Sequence, residues 1–122
     1  MPVLRWVRER LADGESTVEA GEAPIPKTTI FELLGNRRRA AVIRKLNAID
    51  EIETRPLAER IAAEECGHDY TEQEIKRVYV SLYQTHLPRL DSAGVVEFVN
   101  KERVRPGPHY DAVASIQKAA DE

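Results

Sequence analysis

The stretch TEQEIKRVYVSLYQTHLPRLDSAGVVEFVNKERVRP, Thr71 to Pro106, decides the fold. Thr71 can open a helix, with Glu74 at the capping-box position after it. At a helical step of about 100° per residue, Ile75, Val78, Tyr79, Leu82, His86 and Leu90 share one side. Arg77, Ser81, Gln84 and Thr85 lie on the other. Pro88 falls inside this pattern, and its ring would displace the Gln84 carbonyl, so a kink or a new turn is expected there. Gly94 ends the helix, which spans Thr71–Ala93. Val95 to Val99 then reads as a strand, Asn100-Lys101-Glu102 as a turn, and Arg103 to Arg105 as the return strand.

Working outward, the preceding segments read as further helices. Thr28 or Thr29 can cap the first, with Glu32 at capping-box spacing from Thr29. Ile30, Phe31, Leu33 and Leu34 follow, and Gly35-Asn36 breaks the segment. Arg37 to Ala48 places Ala41, Val42, Ile43 and Leu46 near one face. Asp50-Glu51, flanked by Ile49 and Ile52, forms a short extended connector. Pro56 suits the first turn of a helix carrying Leu57, Ile61 and Ala62, with Gly67 as its C-cap. The fold class expected is mainly α with a small β-hairpin, with an extra N-terminal helix. Residues 109–122 are either a final helix or a frayed end.

The chain divides into three parts. Residues 1–27 hold a short amphipathic helix, Val3, Leu4, Val7 and Leu11 with Trp6 beside them, and then a linker made extended by Pro24 and Pro26. Residues 28–106 carry the motifs. Residues 107–122 form the tail, where Val113 and Ile116 recur at near-helical spacing. The apolar faces of the first and third parts need a partner. A second subunit is the simplest, so Leu4, Trp6, Val7, Leu11, Val113 and Ile116 are assigned to a homodimer interface.

The chain has 122 residues, a net charge of −3 and 32% charged residues, the composition of one globular domain. No apolar run is long enough to span a bilayer and no signal peptide is evident, so no membrane partner is expected and the cytoplasm is the expected location. Acids and bases balance over residues 28–106, which leaves the acid excess at the two ends.

One face of the Thr71–Ala93 helix is anchored in a core. The other presents short polar and basic side chains, which is what a helix needs to lie in a DNA major groove. Arg77 can reach a guanine or a phosphate, Gln84 can pair with adenine, and Ser81 and Thr85 can donate or accept. Lys76 and Arg89 flank the face, and Lys101, Arg103 and Arg105 on the hairpin suit the sugar-phosphate backbone or a neighbouring minor groove. Arg37, Arg38 and Arg39 read either as phosphate contacts near a helix N-terminus or as a solvated face neutralised by Glu32, Asp50 or Glu51. Glu64-Glu65 reads as solvated surface.

The segment HLPRLDSAGVV, His86 to Val96, matches the HLxxLxxAGLV ending of the recognition helix in ArsR-like winged helix-turn-helix regulators. LGNRRRAAVI, Leu34 to Ile43, resembles the first core helix of the same group. More narrowly, NRRR followed by KRVYVSLYQTHLPRLDSAGVVEF looks like a set of uncharacterised winged-helix domains from haloarchaea and their mobile elements. The resemblance covers about residues 28–106. It implies a winged helix-turn-helix fold with the hairpin as its wing, binding to double-stranded DNA, transcription regulation and homodimers. The alternative is a protein-interaction adaptor on the same scaffold without DNA binding.

Other chemistries find less support. His68, His86 and His109 are scattered and Cys66 stands alone, so no metal set, metal-sensing cluster or intrachain disulfide is expected. His86 reads as a packed, hydrogen-bonded core residue, and Tyr79 and Tyr83 as core or interface residues. No phosphate loop, nucleophile elbow or paired carboxylates appear, so neither an enzyme nor a cofactor is expected. A third reading is a small effector-sensing or redox regulator that uses Cys66 or a dimer pocket.

Overall fold

The computed structural model describes residues 24–121. The helical segment expected at residues 1–12, with Leu4, Trp6, Val7 and Leu11, lies outside the described residues. The described part is mainly helical, with one small antiparallel sheet. In chain order it runs α1 (Lys27–Leu34), α2 (Arg37–Ala48), β1 (Ile52–Glu53), α3 (Thr54–Cys66) and α4 (Glu72–Ser81). A π-helical turn (Leu82–His86), α5 (Leu87–Ser92), β2 (Val96–Val99), β3 (Arg103–Pro106) and α6 (Tyr110–Asp121) follow.

Local chemistry explains most of these boundaries. α1 begins after extended Pro26 and carries no side-chain cap, so the capping box expected from Thr29 and Glu32 does not form. Proline fixes the entry instead, and Ile30 and Leu33 seat the helix in the core. Asn36 does more than interrupt the chain. Its side chain accepts hydrogen bonds from the backbone N–H groups of Arg38 and Arg39 and so caps α2. The capping box at the start of α4 is present: Thr71 N donates to Glu74 Oε1 at 2.8 Å, and Glu74 N to Thr71 Oγ1 at 3.1 Å. Gly67 closes α3, its N–H donating to the Ala63 carbonyl.

Pro88 shapes the long helix in the way its chemistry requires. Within a regular α-helix its ring would strike the carbonyl of Gln84, and it has no N–H to offer. The turn just before it widens to a π-helix in which Leu87 N reaches back to Leu82 O. That wide turn receives the ring without ending the helical course, and α5 restarts with Pro88 in its first turn. Gly94 then reverses the chain at φ +77°, a conformation that suits glycine. Asp91 Oδ2 accepts from Phe98 N at 2.8 Å, which pins the first hairpin strand to the end of α5.

The sheet order is β1-β3-β2. The connector expected around Asp50-Glu51 therefore ends in a third strand: Ile52 pairs with Val104 and Glu53 with Arg103. Thr54 secures this edge, donating from both N (2.8 Å) and Oγ1 (3.0 Å) to the Glu102 carbonyl. The hairpin turns through Asn100 and Lys101, both at positive φ, with Glu102 N bonded to Val99 O at 2.9 Å.

The tail is an ordered helix packed on α2. Tyr110 donates its hydroxyl to Ile43 O at 2.7 Å, and Gln117 Nε2 donates to Ala40 O at 2.9 Å. Val113 is fully buried and Ile116 packs against the same core. Both were expected to need a second subunit. The chain itself covers Val113 fully and Ile116 in part, because α6 folds back across α2. No helix among the described residues is long and apolar enough to cross a membrane.

Candidate nucleic-acid interface

α3 and α4 pack against each other and are joined by the turn Gly67 to Thr71. α4 and the π-helical turn that continues it offer one outward face. Gln73, Lys76, Arg77, Val80, Gln84 and Thr85 are exposed along it. Ser81 is half-buried, so the face is rotated toward Lys76 and Val80 relative to the one read from the sequence. Val80 was missed there. It is 39% exposed and stands among the polar groups of this face.

The hairpin borders this face along an aromatic row. Tyr79 and Tyr83 stack at 5.9 Å, and Phe98 of β2 meets Tyr83 edge-on at 6.0 Å. Lys101, at the hairpin tip, sets its ammonium 5.6 Å from the centre of the Tyr83 ring. This is cation–π distance. Half-buried Tyr83 thus joins the helical segment to the hairpin, and a hairpin cation is held against it. Next to them a shallow groove is lined by Arg55, Glu72, Gln73, Lys76 and Tyr79.

The other predicted bases divide by their partners. Lys76, Arg77, Lys101 and Arg37 make no ion pair with another described residue. Arg89 pairs with Glu32, Arg103 with Glu51 at 3.3 Å, and Arg105 with Glu97 at 2.7 Å. All three pairs are exposed, and such pairs contribute about 0–1 kcal/mol, so these guanidinium groups can exchange partners at little cost.

The Arg37-Arg38-Arg39 run separates into three roles. Arg37 is exposed. Arg38 grips Glu65 through Nε (2.8 Å) and Nη2 (3.0 Å), and the Glu65 side chain is only 11% exposed. Its neutralising acid is therefore Glu65, and Glu65 is an inward structural partner where solvated surface was expected. The bond to Glu65 holds the Arg38 pKa above its ordinary value. Arg39 turns back over α1, donating from Nε to Leu33 O at 2.9 Å and from Nη2 to Glu32 O at 3.2 Å. Partial burial and nearby Arg89 lower its pKa. Arg38 and Arg39 are thus both held by partners within the chain.

His86 lies behind this face, 8% exposed, and its buried Nδ1 has no hydrogen-bond partner among the described residues. Packing was expected, but the hydrogen bond at this nitrogen is absent. Burial, reinforced by Arg39 and Arg38, pushes its pKa down. Cys66 is exposed. Its thiol pKa is nonetheless raised, by local desolvation and by the Glu74 carboxylate, the opposite of what a reactive thiolate requires. No cluster of potential metal ligands occurs among the described residues.

No curated protein and no solved structure matches the chain. A family model does match, over residues 31–105: the domain of unknown function DUF7344. The match runs from α1 through β3, takes in both the outward face of α4 and the hairpin, and spans more than half of the sequence, so the chain belongs to the DUF7344 family.

Proposed function

We propose that this chain is a winged helix-turn-helix DNA-binding regulator that lays α4 in the major groove and sets its hairpin against the adjacent backbone. Under this reading α3 and α4 are the helix pair, and β2 and β3 form the wing. The observation that carries it is the juxtaposition of Lys76, Arg77 and Gln84 on one helix face with Lys101 beside it on the hairpin. Polar and cationic groups at the centre of such a face can meet base edges, while those at its border meet phosphates. The order of elements and the pairing of β1 with β3 support the same reading.

The net charge of −3 does not oppose it, because local rather than total charge meets the duplex. A second reading, a protein-interaction adaptor without DNA binding, draws on the acid partners of Arg89, Arg103 and Arg105.

Selection of duplexes from a random pool by the full chain separates the two, followed by fluorescence anisotropy at low and physiological salt. DNA binding predicts an enriched sequence. Arg77→Ala should weaken it by about 1–3 kcal/mol if Arg77 contacts a base. Lys118→Ala, on the exposed side of α6, should leave it unchanged. Recovery of no duplex even at low salt would establish the adaptor reading.

A further inference from the structure

Val80 occupies a place on α4 that packing does not explain. It is 39% exposed, and Phe31 on α1 is the other large apolar side chain exposed to this degree among the described residues. Its neighbours on the outward face are Arg77 one turn before it and Gln84 one turn after it, both exposed. A β-branched side chain on a helix is stiff, so its two methyl groups are held in a fixed direction. The major groove offers one apolar group, the 5-methyl of thymine.

We propose that Val80 reads a thymine methyl in the major groove. The inference rests on the DNA-binding reading above and adds a base identity to it. Van der Waals contact with the methyl removes apolar surface of both partners from water and leaves no polar group unpaired. Cytosine opposes the same methyls with an unpaired amino donor. One helical turn separates Val80 from Gln84, about 6 Å along the axis. That is about two base-pair steps at 3.4 Å per step. The thymine read by Val80 therefore lies within about two base pairs of the base that meets Gln84.

The test uses a duplex selected by the full chain and resynthesised with deoxyuridine replacing thymine one position at a time. Deoxyuridine keeps every hydrogen-bonding edge and loses only the methyl. At one thymine the substitution should weaken binding about fourfold, the worth of one buried methyl-sized group. Val80→Ala should bind the thymine and deoxyuridine duplexes equally, while Gln84→Ala should keep the difference. Val80 is exposed and alanine favours helix, so circular dichroism should show an unchanged fold. Equal binding of thymine and deoxyuridine duplexes by the unsubstituted chain overturns the assignment and leaves DNA binding standing. Failure to select any duplex overturns both.

Discussion

Under the proposed DNA-binding reading, the salt dependence of affinity turns the charge geometry into a number. Each phosphate neutralised on B-form DNA contributes about −0.9 to the slope of log K against log salt. Lys76, Arg77 and Lys101 have no acid partner among the described residues and border or occupy one face. Together they give a slope of about −2.7 per protomer, or a loss of about 40-fold between 50 and 200 mM salt. If Arg103 and Arg105 leave Glu51 and Glu97 for phosphates, the slope steepens to about −4.5 and the loss to about 500-fold. Releasing those exposed pairs costs about 0–1 kcal/mol each, so the steeper figure applies once the hairpin is engaged. Anisotropy titrations at four salt concentrations, with stoichiometry fixed by analytical ultracentrifugation, measure the slope. Lys101→Ala should make it shallower by about 0.9, and Arg103→Ala should do the same only if Arg103 exchanges partners. Glu97→Gln frees Arg105 and should raise affinity most at low salt. A slope near zero, or one indifferent to Lys76→Ala and Lys101→Ala, would refute this reasoning.

Other expectations concern the scaffold. His86 has a pKa below its ordinary 6.5 in the folded chain, so the unfolded chain takes up its proton first as pH falls. The stability it contributes is present above 6.5 and lost as pH drops from there toward the folded value; His86→Leu should flatten thermal melting between pH 7 and 5. An unchanged slope would show that the buried ring is not the titrating group. Tyr110 is pushed up to about 12 by burial, so the stability tied to its neutral form is present below 10 and lost as pH rises toward 12. Tyr110→Phe should cost about 1 kcal/mol at neutral pH, read by urea denaturation, and remove that alkaline loss. A Cβ added at Gly107 would sit 2.6 Å from the Gly94 carbonyl oxygen, a backbone atom that cannot turn aside. Gly107→Ala should therefore lower stability by about 2 kcal/mol or more. A shift under about 0.5 kcal/mol would mean that the backbone relaxes there freely.

Much of the architecture was legible because local chemistry and tertiary packing agree. Thr71 and Glu74 form the capping box that their spacing announces, and Pro88 produces a local change of helix geometry where its ring demands one. The misses occurred where a distant segment decides. β1 is only Ile52 and Glu53, too short to carry a periodic signal, and it exists because β3 offers it a free edge. Val113 and Ile116 read as an unpartnered apolar face because periodicity reports that a face is apolar without saying what will cover it. The hydroxyl of Tyr110 reaches Ile43, far back in the chain, and helps bring α6 onto α2.

The candidate interface was legible as a set of residue types and much less so as a set of free charges. Arg37, Arg38 and Arg39 are neighbours in sequence, yet one is exposed, one is clamped by Glu65 and one closes the end of α1. Helical rotation sends consecutive side chains about 100° apart, so a run of three spans about 200° and does not turn all its charges to one side. Exposed acids such as Glu51 and Glu97 acquire their role only when the sheet forms, because pairing of β1 with β3 and of β3 with β2 brings them to Arg103 and Arg105. An acidic chain can in this way hold its hairpin arginines in weak, replaceable pairs. A phosphate that displaces Glu51 or Glu97 gains a positioned guanidinium and leaves a carboxylate close by. That carboxylate repels the duplex unless it swings into solvent, so Glu51→Gln and Glu97→Gln should both strengthen binding. A helix face with no such acids nearby would gain nothing from the same change.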